Sequence, residues 1–328
     1  MEFVQGYGPS RARFLATAGA AATLLGPARS LAQELTTLRI TAVPNDDVSP
    51  LLYAQQSGLF RRAGLDIQLT ANSSGAAIAA AVAGGAYDIG LGSMMALVAG
   101  HLRGIPFVMI APSLLYLSND PVGQMLVLKD SPIRSPRDLG GKLLSVAAIR
   151  DISWVATLAW ADRFGVDSSM IKFVEVPQSA LAAALDQKRI DAAFVLIPTL
   201  EDALATGHFR SIGALLDGIG PRWMVAAWFA NADFVTKNRD VVNRFAEVMR
   251  TATVFANTHP AETAPLIAAF THIDPARVAQ MKRVTCGEYL DPRDIQPAID
   301  AAAKYKAIER GFPAQELISP YALKPPGR

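Results

Sequence analysis

Cysteine is almost absent from this 328-residue sequence, which contains one, Cys286. A single thiol excludes an intramolecular disulfide and any metal cluster held by several thiolates. The four histidines are scattered, without the spacing that metal-ligating helices use. Glycine-rich nucleotide fingerprints and serine–histidine–aspartate patterns are missing as well. We therefore expect no metal site, no cofactor and no catalytic residue.

An excess of charge of either sign is also missing, because 31 Lys and Arg residues stand against 29 Asp and Glu residues. Such a balance offers no electrostatic basis for binding a nucleic acid. Although 51% of the residues are hydrophobic, no internal apolar run approaches the length of a membrane span. The length is sufficient for two domains, each with its own core.

The first 32 residues are typical of an export signal. Arg11 and Arg13 precede an apolar run of small residues, and residues 30–32 form a small-x-small cleavage site. The pattern resembles a twin-arginine signal with Ala12 in place of the second arginine, so the choice between the Sec and Tat routes stays open. We expect a periplasmic protein; whether the signal is cleaved also stays open, and the alternative is an N-terminal helix that remains part of the protein.

Strands and helices alternate along the rest of the chain. Short apolar or alternating runs predict strands, and the stretches between them have helical patterns; such runs include residues 38–43, 65–69, 88–91, 107–111, 125–128, 143–146 and 172–176. This order predicts parallel βαβ units in an α/β fold. Two crossings of the chain between lobes are predicted. The first is at residues 112–122, where the composition changes, and the second is a long apolar strand over residues 223–230.

One local pattern occurs twice. Residues 76–91 and 179–195 each contain a helix of small residues, a short break, an aspartate and an apolar strand, so that Asp88 matches Asp191. The repetition favours two lobes of one plan, each directing a helix N-terminus and a strand end at a common cleft. We interpret Asp88 as a residue that stabilises the fold. Chance similarity between two αβ units is the alternative.

Several segments resemble the signature of one family. Residues 49–66, 85–92, 135–142, 189–193 and 292–308 are similar to segments of the solute-binding proteins of ABC importers, in the subgroup that handles nitrate, sulfonates, taurine and thiamine-pyrimidine precursors. The resemblance implies an α/β, two-lobed periplasmic-binding-protein-like fold of type II, with two hinge strands and a ligand cleft between the lobes. Residues 34–122 and 224–328 would form a discontinuous lobe 1, and residues 123–223 would form lobe 2.

The resemblance also implies which residues contact the ligand, at strand ends and helix starts of both lobes: Asn45, Asp46, Ser73, Ser74, Gly75, Ser93, Ile152, Ser153, Trp154, Leu196 and Pro198. Helix N-termini favour an anion, yet Asp46 and Asp151 would oppose a bare one. A zwitterion, or an aromatic molecule with polar edges, suits Tyr116, Trp154 and Trp223 better. These aromatic side chains could equally belong to the core.

We therefore expect an exported, monomeric, non-enzymatic protein that captures a small organic molecule by lobe closure and delivers it to an ABC permease. The ligand would be a sulfonate, a zwitterion, an aromatic acid or a pyrimidine-like molecule. One alternative is an enzyme on the same fold, of the sulfinate-hydrolase or pyrimidine-precursor-synthase type; another is a ligand-sensing module for a receptor. Against the enzyme, that hydrolase family has a cysteine just after the first strand, where this chain has Asn45 and Asp46. Cys286 lies far along the sequence, and the synthases need a cysteine-rich motif.

Overall fold

The computed structural model describes residues 35–72 and 74–327; the predicted export signal and Ser73 lie outside these ranges. The strands are β1 (Thr36–Ala42), β2 (Leu65–Ala71), β3 (Ile89–Ser93), β4 (Phe107–Pro112), β5 (Leu115–Leu117), β6 (Gly123–Leu128), β7 (Leu143–Val146), β8 (Lys172–Glu175), β9 (Ala192–Leu196), β10 (Phe209–Gly213), β11 (Arg222–Met224) and β12 (Ala226–Asn231). The helices are α1 (Ser49–Gln56), α2 (Leu59–Arg62), α3 (Gly75–Ala83), α4 (Met94–Leu102), α5 (Ile152–Arg163), α6 (Leu181–Asp186), α7 (Thr199–Ala205), α8 (Ala232–Lys237), α9 (Arg239–Thr258), α10 (Pro260–Thr271), α11 (Pro275–Gln280) and α12 (Pro292–Lys304).

Two five-stranded sheets have the same strand order and the same strand directions. Sheet I has the order β2-β1-β3-β12-β4, and sheet II has the order β8-β7-β9-β6-β10. In each sheet the first three strands are parallel, the fourth is antiparallel to them, and the fifth is antiparallel to the fourth. The predicted α/β class with parallel βαβ units is confirmed, and each sheet adds one antiparallel strand.

The two matched aspartates make the same bonds in the two sheets. The side chain of Asp88 accepts the backbone N–H of Arg39 over 2.8 Å, and that of Asp191 accepts the backbone N–H of Leu143 over 2.8 Å. In return, the backbone N–H groups of Asp88 and Asp191 donate to the carbonyls of Arg39 and Leu143. Each aspartate therefore joins the start of its own strand to the neighbouring strand, which confirms the interpretation of Asp88.

A ribbon of two short strands lies between the sheets in chain order. β5 follows β4 of sheet I and precedes β6 of sheet II, while β11 follows β10 and precedes β12. The two strands pair antiparallel with each other. The predicted strand over 223–230 is therefore two strands, because the chain leaves the ribbon at Val225 before it joins sheet I.

Apolar faces of helices cover the sheets. On sheet I, Phe245 of α9 contacts Trp228 of β12 edge to face, with the ring centroids 6.3 Å apart. Helix α12 buries Ile295 and Ile299 and lies against α4, α5 and β11. None of the helices within residues 35–72 and 74–327 is long and apolar enough to cross a membrane.

Candidate functional site

A cavity of about 160 Å³ lies where strand ends of the two sheets meet. Residues 44–47, which follow β1, form one side, and residues 196–198, at the end of β9, form another. In open α/β sheets, ligands bind beyond the carboxyl ends of the parallel strands, where the connecting segments can surround them. The rest of the wall is largely apolar and consists of Leu114, Val122, Ile267, Thr271, Ile273, Met281 and Val284.

The carboxylate of Asp46 at the cavity is balanced by Arg283. Nε of Arg283 donates to Oδ1 of Asp46 over 2.7 Å, and a second guanidinium nitrogen lies 2.5 Å from the same oxygen. Oδ2 accepts the backbone N–H of Val284 over 2.8 Å. Only 13% of the Arg283 side chain and 9% of the Asp46 side chain are exposed. The sequence-based expectation that Asp46 opposes an anion is thus weakened, because its charge already has a partner.

The side chain of Asp47, which also lines the cavity, has incomplete hydrogen bonding. Ser113 Oγ lies 3.3 Å from Oδ2 of Asp47 and also donates to its backbone carbonyl. Oδ1 has no hydrogen-bond partner among the residues that the structure describes, although Asp47 is only 6% exposed. Burial raises the pKa of Asp47 to about 7, and the charge of Asp46 adds to the increase. An acceptor at the cavity wall is therefore left free.

Three predicted residues start helices that follow the carboxyl ends of parallel strands. Ser74 Oγ accepts the N–H of Ala77 at the start of α3, and Ser93 Oγ accepts the N–H of Ala96 at the start of α4. Gly75 is the first residue of α3. Both serine side chains are thus used as N-caps, which satisfy otherwise unpaired helix N–H groups. Ser74, Gly75 and Ser93 do not line the cavity.

The predicted residues at the start of α5 form a local hydrogen-bond network. Asp151 accepts the N–H of Trp154 over 2.9 Å and the hydroxyl of Ser153 over 2.6 Å. Burial raises the pKa of Asp151, and these hydrogen bonds oppose the increase. The ring of Trp154 packs against Phe173 with the centroids 6.1 Å apart. Ile152, Ser153 and Trp154 lie outside the cavity wall, whereas Asn45, Asp46, Leu196 and Pro198 belong to it.

The sequence was compared with known protein families, curated sequences and solved structures. The family model described as "NMT1/THI5 like" matches residues 45–263, which is more than half of the chain. The chain belongs to the NMT1/THI5-like family. No curated protein sequence matches it.

Several solved structures have the same fold as this NMT1/THI5-like protein. The periplasmic aliphatic sulphonate binding protein SsuA from Escherichia coli has a TM-score of 0.72 at 16% identity, covering 86% of this chain and 97% of its own. The periplasmic sulfonate-binding protein SsuA of a sulfonate ABC transporter from Methylobacillus flagellatus KT has a TM-score of 0.68 at 16% identity, covering 88% and 92%. A mutant of the desulfurization enzyme DSZB, in complex with biphenyl-2-sulfinic acid, has a TM-score of 0.64 at 18% identity, covering 87% of this chain and 96% of its own. At these identities the likenesses establish the fold, which is that of periplasmic binding proteins.

The aromatic candidates Tyr116 and Trp223 belong to the core of this family member. They face each other in the β5–β11 ribbon, and both are fully buried. Tyr116 Oη donates to Asp217 over 2.8 Å, and Trp223 Nε1 donates to the carbonyl of Leu216 over 3.3 Å. Burial, followed by the hydrogen bond to Asp217, raises the pKa of Tyr116. Neither ring lines the cavity, and contact of Tyr116 and Trp223 with a ligand stays a prediction.

The wall formed by α10 and by residues on either side of α11 is absent from the sequence-based site. Ile267 and Thr271 of α10, together with Met281, enclose the cavity opposite the strand ends. Their apolar pattern indicates a buried helix face, but a local pattern does not indicate which distant segment that face meets. Arg283 was missed for the same reason, since it lies 237 positions after its partner Asp46. In the described part of the chain, no group of three or more His, Cys, Asp or Glu side chains could hold a metal ion.

Cys286 lies beside the segment after β1, although the sequence separates it widely from that strand. Its Sγ is 3.9 Å from the backbone carbonyl of Asp47, and the residue is 3% exposed. Burial raises the pKa of the Cys286 thiol, and the charges of Asp47 and Asp46 raise it further. Reactive cysteines instead have lowered pKa values and access to solvent. The environment of Cys286 therefore disfavours a nucleophile.

We expect Cys286 to resist labelling by DTNB in the native protein and to react completely once the chain is unfolded in guanidinium chloride. The native rate should be at least about 100-fold below that of free cysteine, because reaction requires an exposed thiolate. Following thionitrobenzoate release by absorbance measures both rates. Labelling of the native protein at the rate of free cysteine would show that the thiol is accessible and would reopen the question of a catalytic role.

Proposed function

We propose that this protein is an exported solute-binding protein that captures a small organic molecule between two lobes and delivers it to an ABC permease. The observation that carries this proposal is the cavity bounded by strand ends of both sheets. In the proposal, residues 1–32 are the export signal, residues 34–122 and 224–328 form lobe 1, and residues 123–223 form lobe 2. The protein acts in the periplasm as a monomer.

The cavity favours capture by closure because its walls come from different parts of the fold. A ligand that touches residues 44–47 and residues 196–198 at once gains its full contacts only when both sides approach it. Such a ligand binds the closed arrangement more tightly than an open one, and this difference in affinity shifts the population. A permease can then recognise the closed form. The predicted helix starts at Ser73, Ser74, Gly75, Ser93, Ile152, Ser153 and Trp154 would surround the approach to this site.

The neighbouring structures support binding rather than catalysis. Two of them are described as periplasmic sulfonate-binding proteins, and one of these belongs to an ABC transporter. The desulfurization enzyme shares the fold, but here the segment after β1 carries Asn45 and Asp46, and Cys286 is buried. We therefore propose that the bound molecule leaves this protein chemically unchanged.

The proposal predicts that a bound solute stabilises the protein. We expect denaturation of the purified protein to release a small organic molecule, which mass spectrometry identifies. Adding that molecule back at about 100 times its Kd should stabilise the fold by about 2.7 kcal/mol through mass action. Thermal unfolding followed by fluorescence measures the corresponding rise in Tm, which should be several degrees.

A pair of tryptophan substitutions controls for unspecific effects. Ile273→Trp places a large ring at the cavity wall and should abolish the ligand-dependent rise in Tm. Ile149→Trp makes the same change at a position that is 46% exposed and outside the cavity wall, and the rise should persist. Equal loss in both variants, or conversion of the molecule into a product, would contradict the proposed function.

A further inference from the structure

In the described part of the chain, the cavity wall has two carboxyl groups and no positive side chain. Among the described residues that line it, Asp46 and Asp47 are the ionisable ones, and no Lys, Arg or His belongs to the set. The nearest guanidinium, that of Arg283, is bound to Asp46 and to the carbonyl of Pro260. One carboxylate is thus balanced, and the second has no cationic partner in the described ranges. An ionised Asp47 leaves one uncompensated negative charge at the cavity.

The uncompensated group also has an unused hydrogen-bond acceptor. Oδ1 of Asp47 is buried without a hydrogen-bond partner among the described residues, while Oδ2 and the backbone carbonyl share the hydroxyl of Ser113. A buried acceptor without a donor costs free energy, and the cost is larger for a charged group. The terminal torsion of an aspartate is soft, so that a small rotation presents an oxygen to the cavity that Asp47 lines. Oδ1 has almost no accessible surface as it stands, so this rotation is what would bring it to a donor of a bound molecule.

We propose that the natural ligand carries a protonated nitrogen, such as a primary ammonium group, on a compact apolar body, and that Asp47 accepts its N–H. This inference rests on the proposed solute-binding function and specifies the ligand class. The apolar body would lie against Leu196, Ile267 and Met281, which belong to the same wall. A cavity of about 160 Å³ has room for about ten water-sized groups, which fits a small amine.

The same features disfavour the ligand class named for the neighbouring sulfonate-binding proteins. A sulfonate would bring a permanent negative charge beside Asp47, and the cavity wall provides no cation to balance it. Like charges brought together in a site that excludes water repel each other strongly. Specificity follows from such repulsion as much as from attraction. The wall therefore selects for a cation and against a bare anion.

The raised pKa of Asp47, about 7 and caused mainly by burial, makes amine binding dependent on pH. The charged or titratable groups around it are Asp46, Arg283 and Cys286. Asp46 is held in its ion pair with Arg283, and burial keeps the thiol neutral because it raises the pKa of Cys286. Alkylamines stay cationic to about pH 10. Between about pH 5.5 and about pH 8.5, Asp47 loses its proton, and amine affinity should rise about 30-fold.

The test uses probes that share a body and differ in charge. Butylamine, cyclohexylamine and benzylamine, with the matching alcohols and sulfonates, are titrated calorimetrically into the purified protein and into Asp47→Asn. We expect at least one amine to bind, its sulfonate to be rejected, and Asp47→Asn to weaken amine binding about 10- to 100-fold and remove its pH dependence. Asp130→Asn removes a carboxylate at an exposed position outside the cavity and should leave binding unchanged.

Other outcomes separate this inference from the proposed function. Binding of the sulfonates or alcohols without any amine would overturn the cation inference and leave solute binding intact. The same holds if Asp47→Asn binds the amine as tightly as the original protein, or if the co-purified molecule carries no basic nitrogen. If no probe binds and no molecule co-purifies, the proposed function fails together with the inference.

Discussion

Arg283→Met is expected to destabilise the protein by about 3–5 kcal/mol, because it leaves the buried carboxylate of Asp46 without its cationic partner. Arg283 makes two contacts with Oδ1 of Asp46 and one hydrogen bond with the carbonyl of Pro260. Both side chains of the pair are nearly buried, so water replaces the lost partner poorly. The neighbouring charge of Asp47 adds repulsion. Urea unfolding at neutral pH measures the change in the free energy of unfolding.

A matched arginine tests whether burial causes this effect. Arg277 is also paired with an aspartate, Asp202, but its side chain is 43% exposed and that of Asp202 is 56% exposed. Arg277→Met should therefore cost less than about 1 kcal/mol. The double variant Asp46→Asn/Arg283→Met should recover much of the loss, because the unpaired charge is then gone. If Arg283→Met costs no more than Arg277→Met, the ion pair is not structural.

Asp47→Asn is expected to change how stability depends on pH. The folded protein raises the pKa of Asp47 from 3.8 to about 7, so the folded state holds a proton that the unfolded chain has released. The contribution of Asp47 to stability is therefore fully present below pH 3.8 and is lost as the pH rises to about 7. A shift of this size corresponds to up to about 4 kcal/mol.

The variant should lack this loss. Relative to the original protein, Asp47→Asn should gain up to about 4 kcal/mol of stability between about pH 4 and about pH 7. Asn keeps an oxygen that can accept the hydroxyl of Ser113, so little packing changes. Urea unfolding across this pH range, with Asp130→Asn as the control, measures the difference. If the stability difference between Asp47→Asn and the original protein does not change with pH, as expected for the control, Asp47 ionises in the folded state as it does in the unfolded chain.

The sequence predicts the parts of the fold that have strong local patterns. The repeated unit with Asp88 and Asp191 predicts two sheets of one plan. The structure gives the reason, because each aspartate bonds the neighbouring strand at the start of its own strand. Helix starts such as Ser74 and Ser93 are readable because an N-cap needs a side-chain acceptor at one fixed position. Strand β10 and helix α7 were not predicted, since short elements at the end of a sheet have weak periodicity.

The cavity is less predictable than the sheets that build it. The family resemblance predicts Asn45, Asp46, Leu196 and Pro198, which lie at or just after strand ends and line the cavity; ligands of open α/β sheets bind at such positions. The opposite wall comes from α10 and from residues on either side of α11, which reach the cavity through long-range packing that no local pattern shows. Aromatic side chains do not identify the cavity wall either, because a local pattern does not distinguish a buried ring from one that lines a cavity. Tyr116 and Trp223 pack against each other in the ribbon, with their centroids 5.8 Å apart.

The β5–β11 ribbon has a mechanical consequence. Its two three-residue strands are hydrogen-bonded side by side, with Tyr116 opposite Trp223. Sliding one strand along the other, or twisting the pair about its long axis, would break these hydrogen bonds. Bending the ribbon out of its plane changes only a few backbone torsions. In the proposed lobe closure, we therefore expect the stiffness between the two sheets to be strongly anisotropic, with one direction of easy movement. Variants at the cavity would then alter how far the sheets move and not the direction of the movement.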